Sequence, residues 1–196
     1  MPQQLQRRQT TSDERRAMVL EAAQAVFAES GIEGASVREI ARRAGYTPGA
    51  IYSYFESKEA VYAALLEASL DRLLSAVTAA RSFRTAPDRT LASKARAWFT
   101  FYGAHPRDLD LGFYLVHGMR PRGLDRQLDR DLNERLRQAL QPCEAAMLAM
   151  GVSPALALRE NTALFAHGVG LLLLLHTGRV RMFGQSPALL FDAYLA

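Results

Sequence analysis

Apolar residues recur along most of this chain at intervals of three and four, the spacing of one face of an α-helix, with no sustained two-residue alternation. Val19, Ala22, Ala23, Val26 and Phe27 form the first stripe, preceded by the capping-box spacing of Thr11 and Glu14 and stopped at Gly31. Ser36 and Glu39 repeat that spacing ahead of Val37, Ile40, Ala41 and Ala44, and Gly45 closes this second helix after barely two turns. Thr47 then offers an N-cap and Pro48 a first-turn proline, so a third short helix follows almost at once. Ser57 opens a fourth, reaching about Ala80, with Val61, Leu65, Leu66, Leu70, Leu73, Leu74 and Val77 on its buried side.

Further along, the stretch 82–90 reads as a loop and Leu91 to Ala104 as an aromatic-rich helix stopped by His105-Pro106. Pro121 to Gly123 makes another break. Leu124, Leu128, Leu132, Leu136 and Leu140 fall on every fourth position and define one face of the next helix. A helix from about Ser153 to Thr177 and a last one from about Pro187 complete the pattern, which predicts an all-α protein. Residues 1–12 lack apolar periodicity and read as a flexible basic arm.

Two short helices joined by a tight, glycine-containing turn, with a helix before and a longer one after, are the pattern of a helix-turn-helix. Small Ala41 suits the crossing of the two helices, and Ile51 is apolar where the second must press back on the first. The crowded rings of this region separate by helical angle. Ile51 and Phe55 face the core, while Tyr52 and Tyr54 turn their hydroxyls outward, where a ring can lie on a groove wall and its O–H reach a phosphate. Gly49 permits close approach of a backbone, and Lys58 sets a cation beside a positive helix end, a combination suited to phosphate.

From about Asp13 to Leu73 the chain resembles the DNA-binding domain of the TetR family of bacterial transcriptional regulators, through "SVREIARRAG" (Ser36 to Gly45) and "GAIYSYFESKEAVY" (Gly49 to Tyr62). The resemblance implies a DNA-binding domain over 13–73, with its motif at 36–55, joined to a helical ligand-binding and dimerisation domain over 74–196. It implies that Thr47 to Tyr54 enters the major groove and that Ser36, Arg38, Tyr52, Tyr54 and Lys58 hold phosphates. Pro48 and Ala50 stand where the family often carries basic and polar residues. Base reading would then fall to Thr47, Ser53 and Tyr52, with Pro48 or Ala50 touching a thymine methyl.

The resemblance also implies a homodimer on a double-stranded operator, released by a small-molecule inducer. "FAHGVGLLLLLHTGRV" (Phe165 to Val180) is similar to the penultimate helix of one regulator subgroup, which points to Gly168, Leu171, Leu172, Leu175, Leu189, Leu190 and Tyr194 as the dimer interface. The aromatic and methionine residues Trp98, Phe101, Tyr102, Phe113, Tyr114, His117, Met119 and Met147 are the candidate ligand lining, suited to an apolar or aromatic molecule. A dimeric adaptor or nucleoid-associated protein without an inducer is the second reading; it would bind DNA with little sequence preference.

Charge adds little to this picture. The formal net charge of +4 permits a polyanionic partner, yet residues 1–60 carry eight Lys/Arg and eight Asp/Glu, so DNA binding must come from local arrangement. Other chemistries find no support. His105, His117, His167, His176 and Cys143 lack metal-ligand spacing, Asp108 and Asp110 read as helix caps, and no phosphate loop or nucleophile motif is present. No enzyme activity, metal or cofactor is expected. A lone cysteine and no leader-like opening predict a cytoplasmic protein, and the apolar run Gly168 to Leu175 is too short to cross a membrane.

Overall fold

Among the residues described by the computed structural model, 2–113 and 126–196 with side chains from residue 12 onward, all regular structure is helical. The chain divides into two compact units, one gathering residues up to Ala68 with Asp110–Leu132, the other Ser69–Leu109 with Asn133–Ala196.

In the first unit α1 (Pro2–Gly34) breaks at Gly31, whose φ of 64° is left-handed, where the sequence places its stop. It starts earlier than the apolar stripe predicts and takes in the segment read as an arm. Gln, Leu and Arg are good helix formers and no glycine interrupts them, so Thr11 lies inside the helix rather than at its cap. α2 (Val37–Ala44) follows with the expected bounds, and α3 (Pro48–Tyr52) starts where expected but ends two residues before Tyr54. α4 (Lys58–Ala79) begins where the Ser57 hydroxyl accepts from the Ala60 amide at 3.1 Å. Phe27 meets Tyr62 edge-on at 5.3 Å, and the Tyr62 hydroxyl donates to the Leu111 carbonyl, so α1 and α4 share one apolar seam.

In the second unit α5 (Pro87–Ala104) starts one turn before Leu91, because Pro87 at the first helical position is pre-organised for a helix and has no amide to leave unpaired. Thr90 holds the preceding loop, its Oγ1 accepting from the Phe83 amide at 2.8 Å. The His105-Pro106 stop is followed by a further short helix, α6 (Pro106–Phe113), which apolar spacing alone does not reveal. α7 (Arg126–Ala149) carries the leucine stripe, of which Leu132 is fully buried and Leu128, Leu136 and Leu140 half-buried. α8 (Pro154–His176), a 3-10 turn at Arg179–Phe183 and α9 (Pro187–Tyr194) close the chain.

Trp98, 2% exposed, organises the core of this unit. Its ring meets Tyr102 at 5.6 Å, Phe165 at 5.4 Å and Phe191 at 6.4 Å, while Phe99 stacks on Phe191 at 4.3 Å. α8 comes this close to the indole because residue 168 has no side chain. A Cβ at Gly168 would lie 2.4 Å from Trp98 Cζ3 and 3.2 Å from Phe191 Cε2. Gly168→Ala should therefore destabilise the fold by about 1–3 kcal/mol through overpacking. Gly103→Ala, whose nearest neighbours would be leucine methyls at 3.9 Å, should be neutral or gain up to about 1 kcal/mol of helix propensity. Urea denaturation of the two variants checks the contrast; equal stabilities would mean that the Trp98 contact is not tight in solution.

Candidate nucleic-acid interface

α2 and α3 are set by local chemistry at each end. Ser36 caps α2, its Oγ accepting from the Glu39 amide at 3.2 Å. Gly45, with φ 73°, ends α2 by donating its amide to the Ala41 and Arg42 carbonyls, and Tyr46 returns to Ala41 O at 2.9 Å. Thr47 caps α3 by accepting from the Ala50 amide at 3.3 Å, with Pro48 at the first helical position. The seam between the two helices is apolar and closed: Ile40 and Ala41 are fully buried, Ile51 is 1% and Phe55 6% exposed. Arg16 covers the outer side of Phe55, its guanidinium 5.1 Å from the ring centre.

The opposite side of α3 is open. Tyr52 is 56% exposed and its hydroxyl has no partner among the described residues; Tyr54 is half-buried. Thr47, Pro48 and Gly49 are exposed beside Tyr52, and Ala50 is half-buried. A Cβ at Gly49 would have nothing within 4 Å, so packing inside the chain does not call for a glycine there. Ser53, expected among the base readers, is exposed, and its hydroxyl donates to the Ala50 carbonyl at 2.7 Å.

Arg38 is exposed and makes no hydrogen bond or ion pair among the described residues, which leaves it available to an anion. Its neighbours are not. Glu39 accepts from Arg42 Nη2 at 2.6 Å and Arg43 Nε at 3.0 Å, and Arg43 Nη1 also reaches Glu29 on α1 at 2.7 Å. The Glu39 hydrogen bonds follow from spacings of three and four along one helix. The Glu29 bond joins positions 14 apart, and only the packing of α1 on α2 brings it about. Hydrogen bonds from Arg42 and then Arg43 lower the Glu39 pKa to about 2, and Arg43 lowers that of Glu29. Lys58 departs from its expected role, because its ammonium donates to main-chain carbonyls of Glu33 and Ala35.

The candidate ligand residues fall into two sets. Tyr114, His117 and Met119 lie outside the described residues. Trp98, Phe101, Tyr102 and Met147 are buried and Phe113 half-buried, with Trp98, Tyr102 and Phe101 joined edge to face in the aromatic core. Trp98 Nε1 in that core, and Asn161 Oδ1 on α8, are buried without a hydrogen-bond partner among the described residues. Burial pushes the Tyr102 phenol up, aided by the Asp108 carboxylate, and burial raises the Cys143 thiol to about 12.

Among the expected interface residues, Gly168, Leu171 and Leu172 are buried within their own chain, a correction to the outward role expected of them. The glycine serves Trp98 rather than a second copy, and α8 turns those three positions toward its own core. Leu175 and Leu190 are half-buried, and Leu189 and Tyr194 are 68% and 44% exposed. Among the described residues no three potential metal ligands converge, and no helix is long and apolar enough to cross a membrane.

Residues 19–65 match the profile of bacterial regulatory proteins of the tetR family. Over 89 residues the chain is 38% identical to the HTH-type transcriptional activator FasR of Mycolicibacterium smegmatis, a match spanning 45% of this chain and 41% of that protein. Over 61 residues it is 44% identical to the HTH-type transcriptional repressor KstR2 of Mycobacterium tuberculosis, spanning 31% and 30% of the two. The chain thus spans less than half the length of the curated relatives it matches. A tetR family transcription regulator from Shewanella sp. PV-4 shares the fold at a TM-score of 0.72, with 19% identity over 92% of this chain and 95% of that one.

The glutamate at the centre of the arginine cluster has a testable titration. Because folding lowers its pKa, any stability Glu39 lends is complete above about pH 4.5 and is lost as pH falls through about 2. Side-chain carboxyl NMR should place its midpoint near 2, and Arg42→Gln should move it back toward the ordinary carboxylate range. A midpoint already in that range in the unaltered protein would mean that the cluster does not form in solution.

Proposed function

This chain belongs to the TetR family of bacterial regulatory proteins, and we propose that it acts as a homodimeric, sequence-specific DNA-binding transcriptional regulator. The observation that carries the reading is the exposed side of α3: Thr47, Pro48, Gly49 and Tyr52 are exposed on a short helix whose other side is closed by Ile51. With α3 in the major groove, Thr47 and Tyr52 reach base edges, Pro48 meets a thymine methyl, and the bare Gly49 lets the helix sit against the backbone. Ser36, Arg38, Tyr52 and Tyr54 hold phosphates on either side. Ser53, its proton given to Ala50, can still accept from a base N–H.

Dimerisation uses an outward surface of α8 and α9. Thr162, Ala166, Gly170 and Leu173 succeed one another at spacings of four, four and three on exposed positions of α8, and Leu189, Ala193 and Tyr194 are exposed on α9. Gly170, where a Cβ would meet nothing within 4 Å beyond its own helix backbone and chain neighbours among the described residues, admits a close-packed helix from a second copy. Two copies would present two α3 helices to successive major grooves, so the operator is an inverted repeat with half-sites about 34–36 Å apart.

The ligand reading rests on the aromatic core. A small apolar or aromatic molecule that enters it finds the indole N–H of Trp98 without a partner among the described residues. If that molecule prefers a conformation with differently spaced α3 helices, a hundredfold release of DNA requires a preference of only about 2.7 kcal/mol. We take repression as the outcome of such promoter occupancy; the names of the two relatives, one an activator and one a repressor, leave the sign open.

Selection of bound duplexes from a random pool should recover an inverted repeat. Tyr52→Ala should lose that enrichment while staying folded, and Leu189→Glu should yield a monomer that enriches no repeat. Salt-sensitive binding with no enriched sequence would sink the operator reading in favour of a nucleoid-type protein. Trp98 is the chain's single tryptophan, so titration of apolar ligands should change its fluorescence in parallel with release of the selected duplex. A ligand that releases DNA without disturbing Trp98 would place the effector site elsewhere.

A further inference from the structure

The chain has 22 arginines and only two lysines, Lys58 and Lys94. Neither ammonium meets a carboxylate among the described residues; each donates to a pair of main-chain carbonyls, and the two pairs lie at opposite ends of α4. Lys58, the first residue of α4, places Nζ 3.1 Å from Glu33 O and 3.2 Å from Ala35 O. Lys94, 5% exposed on α5, places Nζ 2.9 Å from Thr78 O and 2.6 Å from Ala80 O, where the last carbonyls of α4 have no helical partner and the helix end is negative.

A shared chemistry accounts for lysine at both places in a chain that otherwise uses arginine. The tetrahedral ammonium directs three donors from one point and can satisfy two converging carbonyls. The planar guanidinium spreads five donors over a fork that suits a carboxylate or phosphate. At Lys58 the two carbonyls belong to the segment just before Ser36, the residue that caps α2. Two of the three protons of Lys58 are given to the main chain, which fixes the direction of its ammonium.

We infer that Lys58 is a positioning residue of the DNA interface and not one of its phosphate contacts. It ties the start of α4 to the segment carrying Ser36, and thereby fixes where α2 begins. Arg38, exposed and without a partner among the described residues, is a phosphate contact by the same reasoning. The inference rests on the DNA-binding reading above and replaces the role that family resemblance gives to Lys58.

The slope of log affinity against log salt separates the two roles, because each phosphate contact that is lost lowers it by about 0.9. Measured by fluorescence anisotropy of the full chain on the selected duplex, Lys58→Met should lose roughly tenfold in affinity at every salt concentration with the slope unchanged. Lys58→Arg, which keeps the charge but not the convergent donors, should lose a similar amount. Arg38→Met should lower the slope by about 0.9. Retained affinity in Lys58→Arg together with a reduced slope in Lys58→Met would overturn the inference. Should Lys58→Met fail to fold, as judged by circular dichroism, Lys58→Arg decides alone, and full affinity there refutes the positioning role. If the unaltered chain enriches no duplex at all, the DNA-binding reading fails first, and Lys58→Arg then tests the clasp by its melting temperature: an unchanged value refutes it.

Discussion

A helix of five residues makes almost no hydrogen bonds of its own and has no stability in isolation. α3 exists because Ile51 is buried against α2, a contact contributing about 1.5–3 kcal/mol, and because its start is fixed by Thr47 and Pro48 shortly after the left-handed Gly45 that ends α2. This dependence organises the whole N-terminal unit. α2 must present the small Ala41 at the crossing, α1 must support α2 from behind, and Phe55 must return to the core directly after the helix so that Tyr52 is left facing outward. The side that could meet a ligand is what remains after burial has used the other side.

Charge is subordinate to that geometry. The first sixty residues balance to zero, so no broad positive field draws DNA to this surface. The structure instead distributes its cations. Arg42 and Arg43 are held by Glu39 and Glu29, Lys58 is held by carbonyls, Arg16 covers a ring, and Arg38 has no partner among the described residues. Among the described residues the exposed Arg38 near the capped start of α2 and the exposed Tyr52 on α3 make a sparse set for phosphate. It suits a protein whose recognition depends on where groups sit rather than on how much charge it carries.

In the C-terminal unit a different constraint governs. Trp98 is large and nearly fully buried, and α8 can pass it only where residue 168 has no side chain. This rotates α8 so that Gly168, Leu171 and Leu172 point inward and Gly170 and Leu173 point out. The apolar run that reads as interface is therefore divided between two surfaces, most of its bulk serving the chain's own core.

The sequence by itself determined the helices, their caps and the helix-turn-helix, because apolar spacing, N-cap residues and glycine stops are local signals carried by neighbouring positions. Val19 to Phe27, Ser36 to Gly45 and Thr47 to Phe55 were all legible in this way, as was the inward direction of Ile51 and Phe55. Local signals also had limits: α6 has too few turns to declare a stripe, and Pro87 as a helix start outweighed the loop-like composition around it. What only the tertiary structure decided were the partners of atoms far apart in sequence. Arg43 finds Glu29, Lys58 finds two carbonyls more than twenty positions away, and Gly168 finds an indole seventy positions earlier. Residue type records that a side chain can donate a proton or leave a space, while its destination depends on which helices the packed core brings beside it.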